Sequence, residues 1–178
     1  MRGLTSIPVK FSTKQPFFCP ICLMARQTRL PFPIKTTQST KCFDLLHIDL
    51  WGPYHTKTHN NFSYFITLVD DCSRAIWTYL LSNKSNALHV VKSFVLMVEN
   101  QFQTSIKKIR SDNGLEFSST EANLFFQSKG ILHQKTCPHT PQQNGVVERK
   151  HKYFLETARA LLYHSKLPLQ YWGECVLT

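Results

Sequence analysis

The sequence lacks any long apolar run, and this absence excludes a class of proteins. No stretch reaches the roughly 18 consecutive apolar residues that a membrane-spanning helix requires, and the first eight residues contain no apolar core of a signal peptide. We therefore expect an intracellular protein with no membrane partner. In that setting the six cysteines are expected to be reduced thiols, not a disulfide framework.

Acidic residues are absent from the first 43 positions, which carry seven lysine and arginine residues. The whole chain has a formal net charge of +10, so this segment holds most of the excess. A basic arm beside a nearly neutral remainder indicates a polyanionic partner such as DNA. Five prolines interrupt residues 1–40 and no apolar period is sustained there, so we expect this arm to be irregular. The alternative is a solvated linker whose charge is incidental.

Histidine is missing ahead of the only Cys-x-x-Cys pair, Cys19-Pro20-Ile21-Cys22. Such a pair supplies two of the four ligands of a tetrahedral zinc site. The histidines that follow, beginning with His47, fall on or after the first predicted strand. We therefore expect Cys19 and Cys22 to form only an incomplete zinc site and Zn²⁺ not to be a cofactor.

From Phe43 onward the apolar residues become periodic. Leu46, Ile48 and Leu50 alternate with His47, Asp49 and Trp51, which predicts a strand with two different faces and puts Asp49 opposite the leucine face. Further strands and amphipathic helices are predicted by the same criteria: strands 64–70, 75–81, 106–111 and 131–136, and helices 86–102, 118–130 and 144–163. The helix at 118 is predicted from the capping-box spacing of Ser118 and Glu121. Periodicity alone predicts a mixed α/β domain.

Three carboxylates lie on different predicted elements. Asp49 is within the first strand, Asp112 directly follows the fourth, and Glu148 lies in the first turns of the last helix. Three such acids are what a divalent-metal site for phosphoryl transfer requires. Each has a structural alternative: Asp49 could be paired inside the core, Asp112 could belong to a turn with Asn113 and Gly114, and Glu148 could interact with the helix dipole.

These acids lie in segments that resemble a known family, namely His47–Pro53, Asp70–Arg74, Ile109–Phe117 and Pro138–Lys150. The chain resembles the integrases of Ty1/copia LTR retrotransposons, within the retroviral integrase superfamily. The resemblance implies an RNase H-like α/β fold, with a five-stranded mixed sheet flanked by helices. It also implies two regions: residues 1–40 would be the basic remnant of a zinc-binding module, and residues 41–178 a C-terminally truncated catalytic core.

The resemblance further implies a function. Asp49, Asp112 and Glu148 would hold two Mg²⁺ or Mn²⁺ ions, roughly 3.5–4 Å apart, and the protein would join retrotransposon 3′ ends to target DNA in the nucleus, as a homo-oligomer. Basic residues in the first half of the last helix are disfavoured by the helix dipole unless a phosphate lies beside them. The resemblance accordingly implies that four residues contact DNA: Asn113, Gln143, Asn144 and Lys152.

Two alternative functions stay open. One is a catalytically inactive DNA-binding relic of a retrotransposon polyprotein, favoured by the incomplete zinc pair and the expected truncation. The other is a metal-dependent nuclease of the same fold. Asp70, Asp71 and Glu116 are expected to be structural acids: the first two belong to a hairpin turn with a local ion pair, and the third is a surface charge.

Overall fold

Three antiparallel strands form the centre of the fold in the computed structural model, which describes residues 39–136 and 145–178. The strands are β1 (Leu46–Trp51), β2 (Tyr64–Asp70) and β3 (Ile76–Leu81). β2 pairs with β1 on one side and with β3 on the other. β2 and β3 are rich in β-branched and aromatic residues, which fit a pleated surface.

Two shorter strands extend the sheet on the other side of β1. β4 (Lys108–Ser111) runs parallel to β1, and β5 (Leu132–Lys135) runs parallel to β4. The strand order is therefore β3-β2-β1-β4-β5. This mixed five-stranded sheet confirms the arrangement that the resemblance implied.

Helices connect and cover the strands. In chain order they are α1 (Ala87–Phe102), α2 (Leu115–Ser118), α3 (Thr120–Ser128), α4 (Gly145–Ser165) and α5 (Trp172–Leu177), with 3₁₀ turns at Lys84–Asn86 and Leu169–Tyr171. None of the helices in these two described ranges has the length and apolar character needed to cross a bilayer.

Each face of the sheet has its own core. On one face Leu46 and Ile48 of β1 pack with the buried stripe of α1, including Val91, Phe94 and Val98. On the other face Phe65 packs with apolar residues of α4 and α5, which are Ala158, Leu162, Trp172, Cys175 and Val176. A fully buried side chain of this size contributes about 1.5–3 kcal/mol, so both layers of helices are firmly held on the sheet.

The alternation predicted for β1 is confirmed by this division. Leu46, Ile48 and Leu50 contact the α1 core, whereas Trp51 contacts the second core. Asp49 therefore lies on the side of the sheet covered by α4. The fold places this acid under a helix that begins 96 residues later in the chain.

Several predicted boundaries were wrong. The helix after β4 is two helices, and the cap of the second is Ser119, whose side chain accepts a hydrogen bond from Ala122 N; Ser118 instead ends α2. β4 starts at Lys108, where its pairing with β5 begins; Ile106 is buried but precedes the strand. The short helix α5 was not predicted. The arm of residues 1–38 lies outside the described residues, so the expected boundary at residues 40–41 stays a prediction.

Candidate metal and nucleic-acid site

Asp49 lies in β1, and contacts on two sides fix its carboxylate. Its Oδ1 accepts a hydrogen bond of 3.0 Å from the backbone N–H of Leu50. Its Oδ2 lies 3.2 Å from Nδ1 of His151, and 17% of the Asp49 side chain is exposed. The carboxylate is thus held in one orientation and still reaches solvent.

Glu148 comes to Asp49 from α4. His151, one turn after Glu148, contacts Asp49 directly, and neighbours one turn apart share a helix face. Partial burial, followed by the negative charge of Asp49, raises the pKa of Glu148 above its usual range, and these effects outweigh the opposing charges of His151 and Arg149. Two acids that lie 99 positions apart in the sequence are therefore close enough to repel each other.

Asp112 follows the last residue of β4. β1 and β4 pair in parallel, through Leu46 with Ile109 and His47 with Arg110. Its exposed side chain belongs to a turn, in which Asp112 Oδ1 accepts a 3.0 Å hydrogen bond from Gly114 N. The fold thus brings Asp112 to the correct end of the sheet, and its carboxylate takes the turn role that the sequence left open.

The turn after β4 is tied to the end of β5. Asn113 donates from Nδ2 to the carbonyl oxygen of Thr136 over 2.8 Å. Ser111 donates from Oγ to the carbonyl oxygen of Asp112 over 2.8 Å, and lies 2.8 Å from Nε2 of His133. Because the Ser111 hydroxyl has only one proton, His133 must be the donor to it. Burial lowers the pKa of His133, which keeps the ring neutral.

Lys152 lies on a different face of α4 from the one that touches Asp49. Its side chain is 77% exposed, with Nζ 3.9 Å from Glu156 Oε1 in an i,i+4 pair. The residue on the Asp49 side is its neighbour His151, which is buried. Lys152 follows Glu148 by four residues, a spacing that puts the two side chains one turn apart on the helix. Its contact with DNA stays a prediction.

Asp70 and Asp71 are structural acids, and both are buried. Asp70 accepts hydrogen bonds from Phe43 N, Ser73 N and Ser73 Oγ. Asp71 lies 3.1 Å from Nε2 of His47 and 3.4 Å from Arg74 in an i,i+3 ion pair. The predicted hairpin turn with its local ion pair is confirmed. These acids additionally tie the segment that precedes β1 to the end of β2.

The donors at this end of the sheet suit a hard divalent cation. Asp49 and Glu148 offer carboxylate oxygens, and Mg²⁺ binds through one or two carboxylates while keeping positions for water and substrate oxygens. The mutual repulsion of the two acids would be relieved by a cation between them. Across residues 39–136 and 145–178, no three His, Cys, Asp or Glu side chains are already gathered around a point that could hold a metal ion. Asp49, Asp112 and Glu148, which all lie in these ranges, thus do not form a ready-made metal cluster.

Four of the predicted residues lie outside the described residues. These are Cys19 and Cys22 of the basic arm, and Gln143 and Asn144 ahead of α4. Their roles stay predictions.

His151 is the residue of this site that sequence reasoning missed. Its spacing of three positions from Glu148 on a predicted helix was a usable signal, because residues three apart share one helix face. The partner, Asp49, becomes evident only once α4 packs on β1.

Comparison with known proteins agrees with this architecture. The family model described as "Integrase core domain" matches residues 39–141. Among curated proteins, the retrovirus-related Pol polyprotein from transposon TNT 1-94 of Nicotiana tabacum is 38% identical over 90% of this chain. Those from transposons RE1 and RE2 of Arabidopsis thaliana are 36% and 34% identical over 86% and 94% of it. The chain spans only 12%, 10% and 11% of these three polyproteins.

A solved structure has the same fold. A chain in the cryo-EM structure of the simian T-cell lymphotropic virus intasome, in complex with PP2A regulatory subunit B56 gamma, superposes with a TM-score of 0.62 at 18% identity. The superposition covers 79% of this chain and 49% of that one, and the predicted RNase H-like fold is thereby confirmed. The family model matches more than half of the chain and the curated relatives align along most of it; the chain therefore belongs to the integrase core domain family, in its Ty1/copia retrotransposon branch.

Proposed function

We propose that this chain is a divalent-metal-dependent polynucleotidyl transferase that joins retrotransposon 3′ ends to target DNA. The observation that carries the proposal is the contact of His151 with Asp49, which packs the α4 helix turn of Glu148 against the acid of β1; the charge of Asp49 accordingly contributes to the raised pKa of Glu148. Membership of the integrase core domain family supports the same class of chemistry.

Asp49, Asp112 and Glu148 would together hold the metal. When bound, the metal would act as a Lewis acid that stabilises the charge developing at the phosphorus and on the attacking and leaving oxygens. The 3′-hydroxyl oxygen of the retrotransposon end would bond to the target phosphorus. The bond to the target 3′ oxygen would break, and the proton lost by the hydroxyl would be matched by one gained at the leaving oxygen.

The polar groups around the acids would position the DNA. Among residues 39–136 and 145–178, the exposed ammonium group of Lys152 has one long contact, with Glu156, so it is available to a backbone phosphate. Asn113 holds the turn that carries Asp112 against the end of β5. Gln143 and Asn144 directly precede α4 and would contact the same strand. We further propose that the chain acts in the nucleus as a homo-oligomer, because two DNA ends are inserted together.

One observation favours a second candidate, a DNA-binding protein without joining activity. The Asp112 carboxylate accepts from Gly114 N and, within the described ranges, is not grouped with Asp49 and Glu148 as a ready-made site. For activity the three carboxylates would have to come together when the metal and DNA bind; Asp112 could do so through Oδ2 while Oδ1 accepts from Gly114.

A strand-transfer assay with pre-cut retrotransposon ends tests these proposals. We expect wild-type protein with Mg²⁺ or Mn²⁺ to give joined product, and Asp112→Asn to lose it by at least about 100-fold, because one metal ligand is weakened. DNA affinity of Asp112→Asn should stay unchanged in a gel shift. Joining by Asp112→Asn at the wild-type rate would remove Asp112 from the site. If the wild-type protein shifts DNA in a gel but does not join it, the DNA-binding protein without joining activity is supported. If it cleaves DNA but does not join it, a nuclease is supported.

A further inference from the structure

His151 occupies an unusual place for a polar residue of α4. It is 6% exposed and faces the sheet, and its ring packs edge-on against the ring of Phe65, with centroids 5.1 Å apart. Its Nε2 is buried and has no hydrogen-bond partner within residues 39–136 and 145–178. A buried polar atom without a partner costs about 1–3 kcal/mol, so packing alone would favour an apolar side chain here.

The compensating contact is made by the other ring nitrogen. Nδ1 of His151 lies 3.2 Å from Oδ2 of Asp49, within reach of a hydrogen bond if Nδ1 carries the proton. The second oxygen of the same carboxylate accepts from Leu50 N at 3.0 Å. One donor from the strand and one from the helix therefore hold the two oxygens, and together they fix the rotation of the carboxylate group.

We propose that His151 is a positioning residue, which orients the Asp49 carboxylate for a divalent cation by donating from Nδ1. This inference rests on the proposed function, because it gives Asp49 the role of a metal ligand. Hydrogen bonds to the ligands of a metal fix their geometry, and losing one typically costs about 10–100-fold in metal affinity or activity. His151 does not itself need to touch the ion or the DNA.

Two substitutions of similar shape separate positioning from packing. Asparagine and leucine have the same branched form, but only asparagine carries an N–H donor where Nδ1 of histidine lies. His151→Asn should therefore preserve the orientation of Asp49, and His151→Leu should not. His164→Leu, on an exposed position near the end of α4, makes the same chemical change on the same helix away from Asp49.

The experiment measures Mn²⁺ binding to the full 178-residue chain, detected as the decrease in the electron paramagnetic resonance signal of free Mn²⁺. The part of the binding that Asp49→Asn removes is assigned to this site. We expect His151→Leu to weaken that binding by about 10–100-fold and His151→Asn to stay within about threefold of wild type. His164→Leu should match the wild type. Thermal melts should show all variants folded, and metal-free DNA affinity should be the same in each, which a general loss of packing would not give.

Three outcomes would decide against the inference. Wild-type Mn²⁺ affinity in His151→Leu means that His151 does not position Asp49, and equal losses in the asparagine and leucine variants mean that only its volume matters. If His151→Leu does not fold, His151→Gln, whose amide lies at the Nε2 position, replaces it and should show the same loss. Mn²⁺ binding by wild-type protein that survives Asp49→Asn unchanged would instead defeat the proposed function, together with the inference that depends on it.

Discussion

Replacing Asp70 by alanine should destabilise this protein far more than replacing Asp49, although only Asp49 is proposed to act on DNA. The buried Asp70 carboxylate accepts three hydrogen bonds, of 2.8 Å from Phe43 N, 2.8 Å from Ser73 N and 2.6 Å from Ser73 Oγ. A hydrogen bond to a charged group contributes about 1.5–3 kcal/mol. Because Ser73 is exposed and can bond to water instead, we expect a total loss of about 3–5 kcal/mol, not the full sum.

That loss is large relative to the stability of about 5–15 kcal/mol that a domain of this size has. Asp49 accepts one backbone hydrogen bond and contacts His151, and removing it also removes its repulsion of Glu148. Asp49→Ala leaves the buried Nδ1 of His151 without its acceptor, so we expect it to cost about 1–2 kcal/mol once the relieved repulsion is included, and to abolish joining. Asp44→Ala, which removes a surface pair with Lys107, serves as the control and should unfold at the wild-type urea concentration.

Urea unfolding followed by far-ultraviolet circular dichroism measures these differences, with the slope m compared among variants to verify that the same surface is exposed. A loss below about 1 kcal/mol for Asp70→Ala would refute the reasoning, because three charged hydrogen bonds cannot be that weak in a buried site. So would a larger loss for Asp49→Ala than for Asp70→Ala.

Two further predictions concern charge. DNA binding by the whole chain should weaken steeply between about 50 and 200 mM salt in a fluorescence anisotropy titration, because the basic arm releases counterions from the phosphates; a flat response would mean that the arm is not a DNA contact. Burial lowers the pKa of His133 from its ordinary 6.5. Below about pH 6.5 this histidine is therefore protonated in the unfolded chain and still neutral in the folded chain. The free energy of unfolding then falls by up to about 1.4 kcal/mol per pH unit until the pH reaches the lowered pKa of the folded state. His133→Gln keeps a donor for Ser111 and should lose this part of the pH dependence in urea unfolding at about pH 7.5 and 5.5; an unchanged difference between the two pH values would contradict the assignment.

The acids were placed on the correct strands and helix from sequence because their local patterns are strong. The alternation of Leu46, Ile48 and Leu50 fixed the face of Asp49, since side chains of a strand point to opposite sides in turn. Errors occurred where several local signals compete. Ser118 and Ser119 both satisfy cap chemistry, and the choice of Ser119 follows from the separate short helix α2 that ends at Ser118.

The roles of individual side chains were less predictable, because they depend on partners far away in the chain. Asp70 and Asp71 could be identified as turn residues from their neighbours, but their burial arises from contacts with Phe43 and His47. Similarly, α5 is too short to give a clear period, and its position depends on Trp172, which packs beside Phe65 and donates to the carbonyl oxygen of Thr56 over 2.8 Å.

The sequence by itself determined the order of the five strands and the long helices α1 and α4, the face on which Asp49 lies, the basic arm and the family. Periodicity, charge and motif spacing are local properties that survive without a fold. Only the tertiary structure decided which side chains meet. The packing of α4 on β1 brought Glu148 and His151 to Asp49, and the turn after β4 directed Asp112 to Gly114. These contacts join residues that are up to about 100 positions apart, and the pairing of such distant residues is set by how whole elements pack.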